Sequence, residues 1–418
     1  MTDELPRLTA EQTAERLGVK LETLYAYVAR GRLARHKTAR GSEFDALEVE
    51  RFAASRRQRS AAAPAELRGH SDGRPLMVID TGFAFIADGE LYYRGREATA
   101  LAASASFETV AHWALTGVWD AGAAFVVGGD AVNAARRVAD GLPPAGTDRD
   151  RQQVAVTAFA ALDPLRYSLD PASVVPAAEA LVAGMAEVLR TRAPAAAAGV
   201  YRDDAKAGTA SIAERLWVRL SDRPPAPQDL RLLNAALVLL IDHDIAVSTL
   251  AARAAASARA NPYAVVTAGL GALDSPLHGN ASRAAYRMLE RVVSGEHPER
   301  VIADTMVAGR GPVPGFGQPL YRGIDPRARL LLGMLGDDPA ASSVAEAVER
   351  LAAPIVARTG AHPNVDLALA GLALASVMPD DAGEVIFATA RAVGWIVHAL
   401  DEYAQTPLRL RPVGRYRG

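Results

Sequence analysis

From about residue 76 to residue 418 the chain reads as helix after helix. Long stretches of Ala, Leu, Val, Arg and Glu favour that state, because alanine and unbranched side chains lose little freedom in a helix. Short Gly/Pro-punctuated segments break the stretches, and no internal repeat is visible. The class predicted is all-α. A chain of 418 residues, half of them hydrophobic, is too long for one small domain and predicts two or three.

Composition removes several functions. The net charge of −2 gives no global attraction to nucleic acid or an anionic membrane. With no cysteine there are no disulfides, thiolate metal sites or cysteine nucleophiles, which fits a reducing cytoplasm. The start, Met1-Thr2-Asp3-Glu4, has no basic-then-apolar signal. No uncharged apolar run reaches about 18 residues. Leu232–Ile241 is apolar but short and reads as a buried core helix ended by Asp242-His243-Asp244.

Residues 1–56 differ from the rest. Leu8-Thr9 starts an amphipathic helix with a Thr cap, Leu17-Gly18-Val19 turns, and Glu22–Arg30 forms a second helix. Phe44-Asp45 and Leu47–Phe52 predict a short strand and a third helix. The segment resembles MerR- or excisionase-type helix-turn-helix modules. Arg30, Arg32, Arg35, Lys37 and Arg40 cluster after the second helix and suit phosphates, so DNA is a candidate partner. A solvated helix end or a docking module is the plainer reading. Residues 57–75 read as a linker with few contacts across it. Val78-Ile79-Asp80 and Gly89–Gly95 predict a hairpin, and Ser106 caps the helix that follows.

The chemistry lies in an ordered series. Ser275-Pro276-Leu277-His278-Gly279 puts an imidazole in a sharp turn. Gly311-Pro312-Val313-Pro314-Gly315-Phe316-Gly317 has few side chains, so its backbone amides could lie against a ligand, and Gln318 follows. Pro326-Arg327 and Arg391 offer guanidinium forks for carboxylates. Asp366 follows Pro363-Asn364-Val365 and reads alone as a helix N-cap. Each residue taken singly is best read as structural; as an ordered set they are not.

The set, over about residues 76–418, resembles the citrate synthase family. The resemblance implies a large domain of residues 76–279 and 388–418, a small domain of 280–387, and an active cleft between them. His278 matches the histidine that stabilises the acyl-CoA enol, and Asp366 matches the base that takes the α-proton. His243, Arg327 and Arg391 match groups that hold oxaloacetate. Arg411 matches an arginine that crosses from the second subunit of a homodimer. Val313, Pro314, Gly315, Phe316, Gly317 and Arg322 match the coenzyme A contacts. The implied activity condenses acetyl- or propionyl-CoA with a 2-oxo acid, as in citrate or methylcitrate synthase of the tricarboxylic acid cycle and its relatives. Coenzyme A is then a substrate, and no metal, resident cofactor or membrane is implied.

Gln318 departs from the family, standing where its second catalytic histidine belongs. An amide donates a hydrogen bond but does not transfer a proton near neutral pH. Asp244, Ala246, Asn280, Ser282, Arg283, Pro319 and Ala370 are further departures. They leave open a regulator whose degenerate domain senses CoA esters or keto acids.

Overall fold

The computed structural model describes residues 7–38, 41–62, 79–192, 210–275, 278–308, 312–321 and 323–410. The protein is mostly helical. Helix α1 (Ala10–Leu17) is closed at its start by a Thr9–Gln12 capping box and at its end by Gly18 in the left-handed conformation. Helix α2 (Leu21–Ala29) follows at once. Strands β1 (Leu8–Thr9), β2 (His36–Thr38) and β3 (Gly41–Phe44) form a small antiparallel sheet with β3 in the centre. Helix α3 (Ala46–Ala62) then carries the chain away.

This N-terminal unit does not stand apart. Helix α3 packs on α14 (Pro298–Ala308) and α16 (Ser342–Thr359). Arg358 of α16 pairs with Asp45, and Arg16 of α1 donates to the Met306 carbonyl at 3.0 Å. The linker expected at 57–75 is helical through residue 62, and the module keeps contacts with the body that a free tether would lack. Residues 63–78 lie outside the described residues.

The hairpin that opens the main body is β4 (Ala84–Ala87) and β5 (Glu90–Tyr93), joined through Asp88-Gly89, with β6 (Arg96–Glu97) beside β5. Its first strand lies six residues beyond the predicted Val78-Ile79-Asp80. Both turn residues have positive φ, the geometry that fixes register in a two-residue loop. Helices α4 (Ala98–Ser104) and α5 (Phe107–Thr116) follow, the second capped by Ser106 as expected. Then come α6 (Gly129–Ala139), α7 (Asp148–Leu162), α8 (Pro171–Glu187), α9 (Ile212–Leu220) and α10 (Pro227–Leu240). Helices α11 (Val247–Ser257) and α12 (Pro262–Leu273) pack closely together. Helix α13 (Ala281–Val293) leads to α14, and α15 (Pro326–Gly336), α16 and α17 (Val365–Ala375) complete the set before the last helix.

That last helix, α18 (Ala382–Tyr403), organises the body. It touches α5, α7, α8, α10, α11, α12, α13 and α17. By length and composition it is apolar enough to cross a membrane, although Glu384 and Arg391 interrupt it; 94% of its most apolar stretch is buried within the fold. It is therefore the core helix of this body. Gly394 sets its depth: a Cβ there would lie 2.0 Å from the Ile241 carbonyl oxygen. The helix can press on the end of α10 only because that position has no side chain.

Gly394→Ala is thus expected to lower thermal stability severely, by about 3 kcal/mol or more, since the obstacle is backbone and not a movable side chain. Thermal unfolding beside the wild type measures it; an unchanged Tm would show that the helix can back away from Ile241 freely.

Candidate active site

The site is built where α18 meets the end of α10. Tyr93 fixes that end from the other side. Its Oη lies within 3.0–3.2 Å of the carbonyls of Val238, Leu239 and Asp242 and accepts from the Asp242 amide at 3.3 Å. Asp242 is fully buried, and His398 Nε2 meets its Oδ2 at 2.8 Å. Arg253 donates to His398 Nδ1 at 2.9 Å, which leaves Nε2 as the donor to Asp242. Arg253 also pairs with Glu402 at 3.0 Å. A chain of charge-assisted bonds therefore runs from α11 through α18 to the residue beside His243.

Arg391 projects from α18 into this region. Its Nε donates to the Leu240 carbonyl at 2.8 Å, and its guanidinium lies over the Phe387 ring, 4.6 Å from the centroid. Burial lowers its pKa to about 10, so it stays charged at neutral pH. Its Nη1 is buried without a hydrogen-bond partner among the described residues. Buried donors in native proteins are nearly always satisfied, and an open guanidinium nitrogen invites an anion.

His278 sits in a turn closed by its own N–H to the Ser275 carbonyl at 3.1 Å. Its Nε2 lies 2.7 Å from Ser248 Oγ, and its ring meets Phe387 edge to face. Burial, aided by Arg391, lowers its pKa to about 4. The imidazole is therefore neutral at working pH and keeps one N–H. Ser248 is fully buried at the first turn of α11.

A second group comes from the loop before α15 and the start of α17. Gly315 and Gly317 both have positive φ, and a Cβ on Gly315 would lie 2.9 Å from Leu367. The loop is pinned to the segment before α17 by Gly317 N–H to the His362 carbonyl, Asn364 N–H to the Gly315 carbonyl and Asn364 Nδ2 to the Gly317 carbonyl, all at 2.8–2.9 Å. Asn364 is also the N-cap of α17, accepting from the Asp366 amide at 3.0 Å. Asp366 thus lies within the first turn and is not the cap, which releases its carboxylate for another task. Burial pushes that carboxyl up to about 7, against the pull of Arg327.

Arg327 does not offer a free fork. Its Nε and Nη2 pair with Asp325 at 3.0 and 2.8 Å, and Asp325 also caps α15. His243 is buried, with Nε2 2.9 Å from Tyr321 Oη. Burial, then the charges of Arg327 and Arg391, hold its pKa well below the usual histidine range. Gln318 is half-buried and turns its Oε1 back to the Leu320 amide at 3.4 Å.

The structure brings His243, His278, Arg327, Arg391 and Asp366 into one electrostatic neighbourhood. Arg391 acts on both histidines, and Arg327 acts on His243, Asp366 and Arg391. Val313, Pro314, Gly315, Phe316 and Gly317 form the loop beside it. Arg322 and Arg411 lie outside the described residues. Sequence reading missed Ser248, Tyr321, Asp325 and the Asp242–His398–Arg253 chain. Only Asp325 carried a local signal, the Asp-Pro helix start.

Residues 74–413 match the family model described as citrate synthase, C-terminal domain. The chain belongs to the citrate synthase family. It is 32% identical to a citrate synthase of Acidithiobacillus ferridurans over 50% of this chain and 55% of that protein. It thus spans about half the length of several curated relatives it matches. The match to the Haloferax volcanii citrate synthase is 29% identical and covers 82% of this chain and 94% of that one. In fold it resembles the Thermoplasma acidophilum citrate synthase solved with carboxymethyl-coenzyme A and oxaloacetate. That likeness has a TM-score of 0.66 and 22% identity, over 82% of this chain and 94% of that one.

The raised Asp366 pKa makes a stability prediction. The fold favours the protonated acid, so that stability is full below the ordinary carboxylate pKa of 3.8 and is lost as pH rises through about 7. Asp366→Asn, which cannot ionise, should melt several degrees above the wild type at about pH 8, with the difference vanishing below about pH 4. Melting curves across that range test it; a variant no more stable at the alkaline end would contradict a buried, costly carboxylate.

Proposed function

We propose that this chain condenses a short acyl-CoA with a 2-oxo acid through an enol or enolate, and then hydrolyses the thioester. Oxaloacetate is the first candidate acceptor, and acetyl- or propionyl-CoA the donor. The observation that carries the reading is that His278, bonded to Ser248, and Asp366, buried and freed from capping by Asn364, lie around two arginines, Arg391 and Arg327, that act on each other. A thioester α-proton is weakly acidic. Its removal needs a base matched to the medium and a donor where the enolate charge develops. Asp366 is the proposed base. His278, accepting from Ser248 on Nε2, carries its proton on Nδ1 and donates it to the thioester oxygen.

The acceptor is a dicarboxylate in this reading. Arg391, with its open Nη1, takes one carboxylate. Arg327 adds charge from its Asp325 pair, and His243 lines the acid's site. Arg411 of the partner subunit of a homodimer supplies a further cation, and the 313–317 loop with Arg322 carries coenzyme A. Pre-set groups of this kind convert encounter into a near-attack pose.

A second reading rests on a different surface. Arg30, Arg32, Arg35 and Lys37 are exposed around the end of α2 and on β2, and make no ion pair among the described residues. Such a face suits a polyanion, and the module is then a DNA-binding regulator fused to a domain that senses CoA esters. Binding of that kind weakens steeply with salt.

The deciding measurement is thiol release from several acyl-CoAs against several 2-oxo acids. Turnover of at least one pair, abolished in Asp366→Asn with the fold intact, is expected. No turnover with any pair, together with a salt-sensitive shift of DNA, would transfer the case to the regulator. If oxaloacetate is the acceptor, Gln318→His should raise kcat roughly tenfold, since a new proton donor supplements a site where one donor is worth about 10²–10³. A rate unchanged by that substitution would mean that position 318 does not face the ketone or that another group already supplies the proton.

A further inference from the structure

Condensation leaves a question that Gln318 does not answer. When the enolate carbon attacks the ketone carbon, the C=O π pair moves onto oxygen, and that oxygen must gain a proton to become the alcohol. Gln318 has no transferable proton, and its Oε1 is turned to its own loop at the Leu320 amide. His243 is held neutral by burial and by two arginines, so it is no acid either.

A hydroxyl does stand in the right company. Tyr321 is buried, three residues beyond Gln318, and its amide donates to the Gln318 carbonyl at 3.2 Å. Its Oη lies 2.9 Å from His243 Nε2, and the charge of Arg327 acts on it. Arg327 is proposed above to hold the keto acid, and His243 to line its site. A neutral His243 has one N–H. When that N–H is on Nε2 and donates to Tyr321 Oη, the phenolic proton is left free for another acceptor.

We infer that Tyr321 is the proton donor to the ketone oxygen, taking over in this chain the task that Gln318 cannot perform. The inference rests on the condensation reading. In the step, the new C–C bond forms from the enolate pair and the ketone oxygen takes the Tyr321 proton. The tyrosinate oxygen, held by His243 Nε2–H, then regains a proton from water once the product has left. Burial raises the phenol above its ordinary range, so Tyr321 keeps its proton at neutral pH and has it to give to a strongly basic alkoxide.

The two halves of the reaction can be read separately. Exchange of acyl-CoA α-protons with deuterated water, with a 2-hydroxy dicarboxylate filling the acceptor site, reports enolisation alone. Thiol release with the 2-oxo acid reports the whole reaction. Tyr321→Phe should slow thiol release about tenfold or more while exchange stays within about twofold of the wild type. Placed in a Gln318→His background, the same change should cost much less, because the introduced imidazole supplies the proton. Equal losses in both assays would make Tyr321 a positioning residue for His243 and overturn the inference. So would no loss at all, or a penalty just as large in the Gln318→His background. A wild type active in neither assay would instead sink the condensation reading and this inference with it. Circular dichroism and melting of each variant establish that the fold is retained.

Discussion

The contact between α18 and the end of α10 is the constraint on which the site depends. Gly394 lets one helix lie against the Ile241 carbonyl, and the polypeptide that leaves α10 there carries Asp242 and His243. Arg391, one turn earlier on α18, is thereby brought to Leu240 and to both candidate histidines. Move the helix outward by the width of a methyl group and the guanidinium, the Asp242–His398 bond and the histidine beside it would all lose register. The many helices packed around α18 hold this one crossing in place.

Charge is managed differently in the two halves of the site. Around α18 the charges are neutralised in a closed chain, Arg253 to His398 and Asp242 on one side and to Glu402 on the other, while Arg391 keeps an open nitrogen. Around α15 and α17 the arginine is matched by Asp325, and the carboxyl of Asp366 is left in surroundings that resist its ionisation. One half is thus prepared for an anion and the other for a proton. That division of labour is what the condensation proposed above would require.

Much of this was legible in the chain because the reactive side chains sit at Gly- and Pro-marked turns. Those turns announce themselves, and their order sufficed to indicate the family. What was not legible depended on distant pairing. Ser248 is an ordinary serine until α11 is laid beside the His278 turn, thirty residues on. Arg327 looked like a free fork because nothing in Asp-Pro-Arg says that a helix cap folds back onto the guanidinium. The β4 strand was misplaced because Val78-Ile79 has the stronger β propensity. The turn at Asp88-Gly89 and the pairing of Ala84 with Tyr93 decide the register instead. The N-terminal unit was read as tethered because composition cannot show that Arg16 and Asp45 find partners on α14 and α16.

Glu402 gives the crossing a further property. Its carboxylate is fully buried and shared by two arginines: Arg253 from α11, and Arg409 in bidentate fashion from the chain that leaves α18. One anion therefore both completes the interior charge chain and fastens the outgoing polypeptide two residues before Arg411. The direction in which that polypeptide departs is written into the electrostatics of the core and is not left to the conformational whim of a terminus. Interior and exit thus share one carboxylate, so losing Glu402 would at once unpair Arg253 in the core and release Arg409.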